Sequence, residues 1–235
     1  MMVARLRVFF RQQSARAVAR YLGTTTATLS TPVWMGSLYG GELKETTDPN
    51  AILPPEEDRR LQIVIGADLQ AQYLDAAGLA ADIVTGTGAP DPNDARILNY
   101  LVQAGDRIVG INDVTRDDVA LALALGGERG YNQEQIAYGV PEDNFMGIQD
   151  IVDQTYRGRA DAIVRTELAF ASARASLDQY TEAAVTLVDV LDGPGCGWTE
   201  HDDPDIADGS TRTMAEAMAY PIAHPNCIRV FLPVL

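Results

Sequence analysis

Every side chain in this sequence that can ligate a soft metal, Cys196, His201, His224 and Cys227, lies within the last 40 residues. Two cysteines and two histidines among 235 residues are thus gathered into one tail. The spacing is Cys-x4-His, a loop of 22 residues, then His-x2-Cys. Two short chelating pairs joined by a long loop suit a tetrahedral ion, because each pair turns tightly round one edge while the loop carries the chain to the other. A set of two thiolates and two imidazoles leaves no open coordination position. The ion it predicts is therefore a structural Zn2+ rather than a catalytic one. A Cys196 to Cys227 disulfide and plain unligated packing are the competing readings, and a reducing cytoplasm disfavours the disulfide. Trp198 would shield the sulfur of Cys196 from water in such a site, and it suits ordinary core packing equally well.

Length and a hydrophobic content of 46% let the chain bury a substantial core, as one large domain or two small ones. A net charge of −15 argues against broad electrostatic binding to nucleic acid. The charge is uneven. Arg5, Arg7, Arg11, Arg16 and Arg20 fall in the first 20 residues, which hold no acid, so the remainder carries −20. A basic head on an acidic body predicts that the first helix docks on an acidic partner surface. No apolar run approaches the ~18 residues of a membrane span. Arg5 and Arg7 also cut the apolar stretch at the start, so it lacks the h-region of a signal peptide. An intracellular protein with no membrane partner is expected.

Residues 1–23 read as a basic amphipathic helix, with Val3, Leu6, Phe9, Phe10, Ala17, Val18 and Tyr21 at helical spacing and Gly23 as its stop. Residues 24–55, rich in Thr, Gly and Pro, read as an extended linker or arm with Trp34 and Tyr39 as anchors. Residues 56–180 form a helical domain. Its expected helices run from Glu56 through Leu79 with a break near Gly66 or Gly78, and from the cap Asp94 to Ala104. Others run from a weak capping box at Thr115 and Asp118 to Leu125, from Asn132, and from near Asp143 to Tyr180 with a bend at Gly158. Residues 181–235 change texture. Val185–Leu191 reads as a strand and the segment from Ile228 to Val234 as its partner, with the four ligand candidates between them. The fold class predicted is mainly α, with a small C-terminal α+β lobe resembling a zinc knuckle, a β-hairpin around a Cys/His cluster.

Several of these segments share an order with a known family. Arg165-Thr166-Glu167 on a long alanine-rich helix precedes a strand ending in Leu191-Asp192-Gly193. A Cys/His cluster follows, then His224-Pro225-Asn226-Cys227-Ile228-Arg229 and a terminal apolar strand. Together they resemble the phage head-morphogenesis family typified by the F protein of phage Mu, over roughly residues 105 to 235. The segments from Gly110 to Thr115 and from Asn132 to Val140 also resemble the helices leading into that domain. Two departures stand out. Cys196-Gly-Trp-Thr-Glu-His201 replaces the usual Cys-x2-Cys, and Ile228-Arg229 stands where many members have Arg-Cys. One thiol is lost and one histidine gained at nearly the same place, so ligand number is kept.

The resemblance implies a non-enzymatic minor capsid protein of a tailed phage. Such a protein sits in the virion at the capsid interior or portal vertex, after synthesis in the host cytoplasm. Its implied partners are the portal protein and the major capsid protein, with multiple copies arranged around the portal and contact with packaged DNA open to the basic helix. Arg165 and Glu167 are expected to be structural, because residues two apart on a helix do not face each other. Arg165 would pair with an acid or with carbonyls of the lobe, and Glu167 would point toward a neighbouring backbone or basic group. Asp202, Asp203, Asp205 and Asp208 read as a solvated loop, since they lack the alternation and closing Glu of a calcium loop. The alternative function is a metal-dependent hydrolase or nuclease using the Cys/His/Asp cluster, which needs an open metal position and a general base.

Overall fold

A computed structural model of the chain describes residues 2–24, 46–86, 90–192 and 207–235. The described chain is mainly helical. In order it forms α1 (Met2–Tyr21), α2 (Pro49–Ile52), α3 (Pro55–Val84), α4 (Ala95–Glu128), α5 (Gln133–Tyr138), a 3-10 turn (Pro141–Asp143) and α6 (Ile148–Glu182). Then come β1 (Leu187–Leu191), β2 (Thr211–Thr213), α7 (Met214–Ala219) and β3 (Val230–Pro233). Among the described residues no helix is long and apolar enough to cross a membrane. The chain divides into two compact units. An N-terminal unit comprises Val3–Val64 with Arg107–Arg159, and a C-terminal unit comprises Ile65–Asp106 with Ala160–Leu235.

The N-terminal unit begins with α1, whose predicted apolar positions Leu6, Phe9, Phe10, Ala17, Val18 and Tyr21 are all buried. Gly23, at φ +64°, closes the helix, a backbone conformation that glycine adopts without steric cost. Residues 49–52 of the predicted arm form a short helix. Asp48 caps it by accepting from the Asn50 N–H at 2.9 Å, Pro49 takes the first helical position, and Ile52 and Leu53 are fully buried. The remainder of that arm, 25–45, with Trp34 and Tyr39, lies outside the described residues.

The same unit has charge at its centre. Arg16 grips Glu57 with two hydrogen bonds, at 2.8 and 2.6 Å, and Arg20 adds a third at 2.9 Å. Glu57 is fully buried. Arg20 also donates to the Ile52 carbonyl at 3.0 Å, and Arg116 of α4 donates to the Leu53 carbonyl at 2.7 Å and to Asp58 at 2.8 and 2.9 Å. Two carbonyls that α2 leaves open at its end are thus satisfied by guanidinium groups. Those groups simultaneously hold the acidic first turn of α3. Arg16 and Arg20 of the basic head therefore have an acidic partner inside the chain. Arg5, Arg7 and Arg11 are exposed.

The predicted helix breaks at Gly66, Gly78 and between Ala104 and Thr115 do not occur, for α3 and α4 each run through. A helical glycine costs only about 1 kcal/mol, which the packing of the neighbouring turns overrides. Thr115 is no cap. It is buried in mid-helix and bonds the Ile111 carbonyl at 3.2 Å. Asp94 does cap α4, accepting from the Arg96 N–H at 2.8 Å, and Asn132 opens α5 in a reciprocal capping box with Gln135. Gly126 serves packing. A Cβ there would lie 2.6 Å from Ile136 of α5, so the two helices approach closely only because that atom is missing.

In the C-terminal unit β1 pairs antiparallel with β3 as the sequence predicts, with Leu191 opposite Val230 and Asp189 opposite Leu232. The predicted hairpin is instead one part of a three-stranded sheet of order β2-β1-β3. The three residues of β2 are too short and too polar to announce a strand. The inner sheet face, Val188, Val190 and Phe231, packs with Leu177 and Tyr180 of α6, Ala80 of α3 and Ala217 of α7. Tyr180 ties helix to sheet by donating to the Phe231 carbonyl at 3.1 Å.

Candidate functional site

The Arg165-Thr166-Glu167, Leu191-Asp192 and His224–Arg229 segments of the resemblance belong to the C-terminal unit, where α6 sets their geometry, while the segments from Gly110 to Thr115 and from Asn132 to Val140 lie in the N-terminal unit. Its buried stripe there runs Ala160, Val164, Glu167 and Ala171, at helical spacing. Glu167 therefore points inward. Its backbone carbonyl accepts from the buried Tyr100 hydroxyl at 3.4 Å. Arg165, two positions earlier, faces solvent, and its Nε donates to the Asp161 carbonyl of the same helix at 3.3 Å. Among the described residues Arg165 shows this local bond and no pairing with an acid or with lobe carbonyls. The useful member of the triplet is Thr166, which sequence reasoning passed over. Its hydroxyl accepts from the Asn226 N–H at 2.9 Å and so docks the His224–Cys227 segment on α6.

That segment is a tight turn. The Cys227 N–H donates to the His224 carbonyl at 3.1 Å, with Pro225 at the second position and Asn226 at φ +64° in the third. Proline followed by a residue with positive φ is the pattern of a type II turn, in which asparagine substitutes for glycine. The turn puts His224 and Cys227 at its two ends, as a chelating pair requires. His224 is half-buried, and its Nδ1 donates to the Pro225 carbonyl at 2.9 Å. In the neutral ring that bond puts the lone pair on Nε2, the nitrogen a metal would use. Cys227 is buried. Its thiol has the shielding from water that a structural thiolate ligand needs.

The other half of the predicted metal set is elsewhere. Cys196, His201 and Trp198 lie outside the described residues, as do Asp202, Asp203 and Asp205. Among the described residues no group of three or more His, Cys, Asp or Glu could hold a metal ion. Asp208, the fourth member of the acidic run, accepts from the Asp192 N–H at 2.8 Å, a role in shaping the chain just beyond β1.

What closes the described part of the lobe is an ion pair. Arg229 meets Asp192 through Nε to Oδ1 at 2.6 Å and Nη2 to Oδ2 at 2.8 Å, and its Nη1 reaches the Tyr220 carbonyl at 3.2 Å. The side chains are 2% and 1% exposed. Parallel two-point contact between a planar guanidinium and a carboxylate is the geometry that best repays removal of both charges from water. Asp192 follows β1 and Arg229 precedes β3, so the pair fixes the sheet end from which residues 193–206 depart. Both residues stand in the motif segments of the sequence, but neither carries a spacing that marks it as half of a pair.

A second buried polar cluster braces the helices of this unit. Tyr73 donates to Asp178 at 2.5 Å, and Arg174 donates to the same carboxylate at 3.1 and 3.2 Å. Burial, with the hydrogen bond to Asp178, pushes the Tyr73 phenol up, so it stays protonated. At the start of α4, Arg96 holds the Asp94 carboxyl down to about 2 and spans to Glu182 of α6 at 2.5 Å.

No protein-family model, curated protein or solved structure matches the chain.

Proposed function

We propose that the protein is a minor capsid component of a tailed-phage head, a non-enzymatic assembly factor that binds the portal or inner head during head assembly or DNA packaging and delivery. One observation carries the reading. Resembling segments of the C-terminal unit, far apart in sequence, fold onto one another: Thr166 holds the Asn226 backbone, Asp192 holds Arg229, and β1 pairs with β3. A chance run of short motifs has no reason to converge in this way. Arg229 stands where many members carry a cysteine, and here an ion pair with Asp192 occupies that position. That contact supports a ligand set drawn from His224 and Cys227 on one side and Cys196 and His201 on the other.

Zn2+ bound there would be structural. His224 and Cys227 would supply one chelating pair, and the ion would staple the lobe in a fold that weakens when it is removed. Elemental analysis of the purified protein tests this part: one zinc per chain is expected, lost with Cys227→Ser. Co-purification of the chain with the portal from cells expressing the head genes tests the function itself. DNA or peptide hydrolysis that disappears in a His201→Ala variant would favour the metal-dependent hydrolase instead.

A further inference from the structure

The three-stranded sheet of the C-terminal unit is apolar on both faces. An antiparallel sheet with one face in water alternates apolar and polar residues along each strand. In β1 and β3 the burial alternates but the chemistry does not. Val188, Val190 and Phe231 are buried, while Leu187, Leu191, Val230, Leu232 and Val234 are each 40–51% exposed. These outward residues stand side by side. Leu191 is opposite Val230, Asp189 is opposite Leu232, and the Val234 N–H donates to the Leu187 carbonyl at 3.0 Å. Asp189 interrupts the aliphatic surface, but the Thr211 hydroxyl of β2 donates to its carboxylate at 2.6 Å and holds it toward β2, away from the stripe on β3.

The β3 edge does not invite another strand. Because Val234 bonds β1, the backbone groups of Phe231 and Pro233 turn outward. Proline has no N–H to give, and the Phe231 carbonyl already accepts from Tyr180 at 3.1 Å. The sheet is therefore closed to strand addition there, and its outer face is the surface left to cover. Charge and area decide what covers it. Leu187, Asp189, Leu191, Val230, Leu232 and Val234 include no cation, so the face has nothing to hold an anionic membrane or a nucleic acid. Its exposed aliphatic surface amounts to several hundred square ångströms, the scale that marks an interaction site on a monomer. Two such faces set together bury close to the ~1,000 Å² that a specific interface needs.

We propose that this outer sheet face packs against the same face of a second copy, about a two-fold axis running along the strands. The sheets then lie about 10 Å apart, with β1 of one copy over β3 of the other. Leu191 meets Val230, Leu187 meets Val234, and each Asp189 lies over Leu232 of the other copy, so the two carboxylates stay apart. The contact is isologous and closes at a dimer. Every residue in it belongs to the C-terminal unit, and a single chain has one such face, so its partner is another molecule. It uses no part of the phage reading. Because each chain carries a net −15, screening relieves the repulsion between copies, and salt does not weaken the contact.

Sedimentation equilibrium of the full chain tests this. At ~100 µM the wild type should show monomer and dimer in exchange. The dimer should be at least as tight in about 0.5 M salt as in about 0.05 M. Val230→Glu and Val234→Glu, both at exposed positions, should each weaken it at least ~10-fold with circular dichroism unchanged. Val230→Thr keeps the branched shape that a strand favours and should weaken it less. Asp189→Asn should tighten it by removing like charge from the interface. Hydroxyl-radical labelling of the wild type needs no variant: it should fall at Leu187, Leu191, Val230, Leu232 and Val234 as the protein is concentrated. Protein that stays monomeric at both salt concentrations overturns the proposal. So do dimers that the residue 230 variants leave unchanged, dimers that dissociate in high salt, and labelling of these side chains that stays constant through dimerisation.

Discussion

The two units bury charge in different ways. In the N-terminal unit Arg16, Arg20 and Arg60 crowd one buried carboxylate, Glu57, and in the C-terminal unit a single arginine meets a single aspartate, Arg229 with Asp192. The first arrangement keeps excess positive charge in a place water barely reaches. Burial, together with the charges of Arg16 and Arg20, pulls Arg60 down to about 10. Its purpose is connection, because the arginines join α1 to the acidic turn of α3 and to the last carbonyls of α2. The second is balanced and acts at one point, the end of a small sheet. A crowded cluster depends on the anion it shares, whereas a matched pair is replaceable as a pair.

The largest effect should therefore come from Glu57→Ala. It removes the carboxylate that three guanidinium groups share in the interior and should cost at least about 3–5 kcal/mol in chemical denaturation, the scale of breaking a buried ion pair. A loss near zero would show that the cluster is held by something other than charge. Asp192→Ala should follow at about 3–5 kcal/mol. The contrast sharpens with Asp192→Leu combined with Arg229→Met, which should cost less than either single change because no charge is left unpaired. No single companion change should rescue Glu57→Ala in the same way.

Smaller effects probe the bracing around these centres. Tyr73→Phe removes a hydrogen bond to the buried Asp178 carboxylate and should cost about 1.5–3 kcal/mol, with Arg174 still in place to hold the charge. Thr166→Val should cost about 1 kcal/mol. Its clearer mark is local, faster hydrogen exchange at the Asn226 amide with the rest of α6 protected as before. The last effect is a slope in acid. Asp94 ionises near 2 in the folded protein against 3.8 unperturbed, because Arg96 bonds its carboxylate. The stability it contributes is present above 3.8 and drains as pH falls toward 2. Asp94→Ala should lower stability at neutral pH, and its difference from the wild type should close as pH falls through that window.

Legibility in the sequence followed periodicity and turn chemistry. The apolar spacing of α1, the glycine that ends it, the caps Asp94 and Asn132, and the pairing of the strands at 187–191 and 230–233 were all readable, since each is dictated by residues close in sequence. Glycine misled where it was read as punctuation, because tertiary packing carries α3 through Gly66 and Gly78. The buried charges were not readable. Arg16 and Arg20 look like the rest of a basic head, and Glu57 and Asp58 look like the solvated acids that favour any helix start. Only the long-range fold brings them together. Of the Cys/His spacing, the structure describes one end, the His224–Cys227 turn, while Cys196 and His201 lie outside the described residues. Thr166 escaped notice between two charged neighbours, although it is the residue that joins the motif helix to the motif turn.

The measurement that bears most directly on the proposed function is sedimentation velocity of the purified protein mixed with the purified portal oligomer. The head-protein reading predicts that the chain moves with the portal peak in a saturable ratio. Folded protein that sediments alone beside an intact portal, across the whole range of mixing ratios, would contradict it.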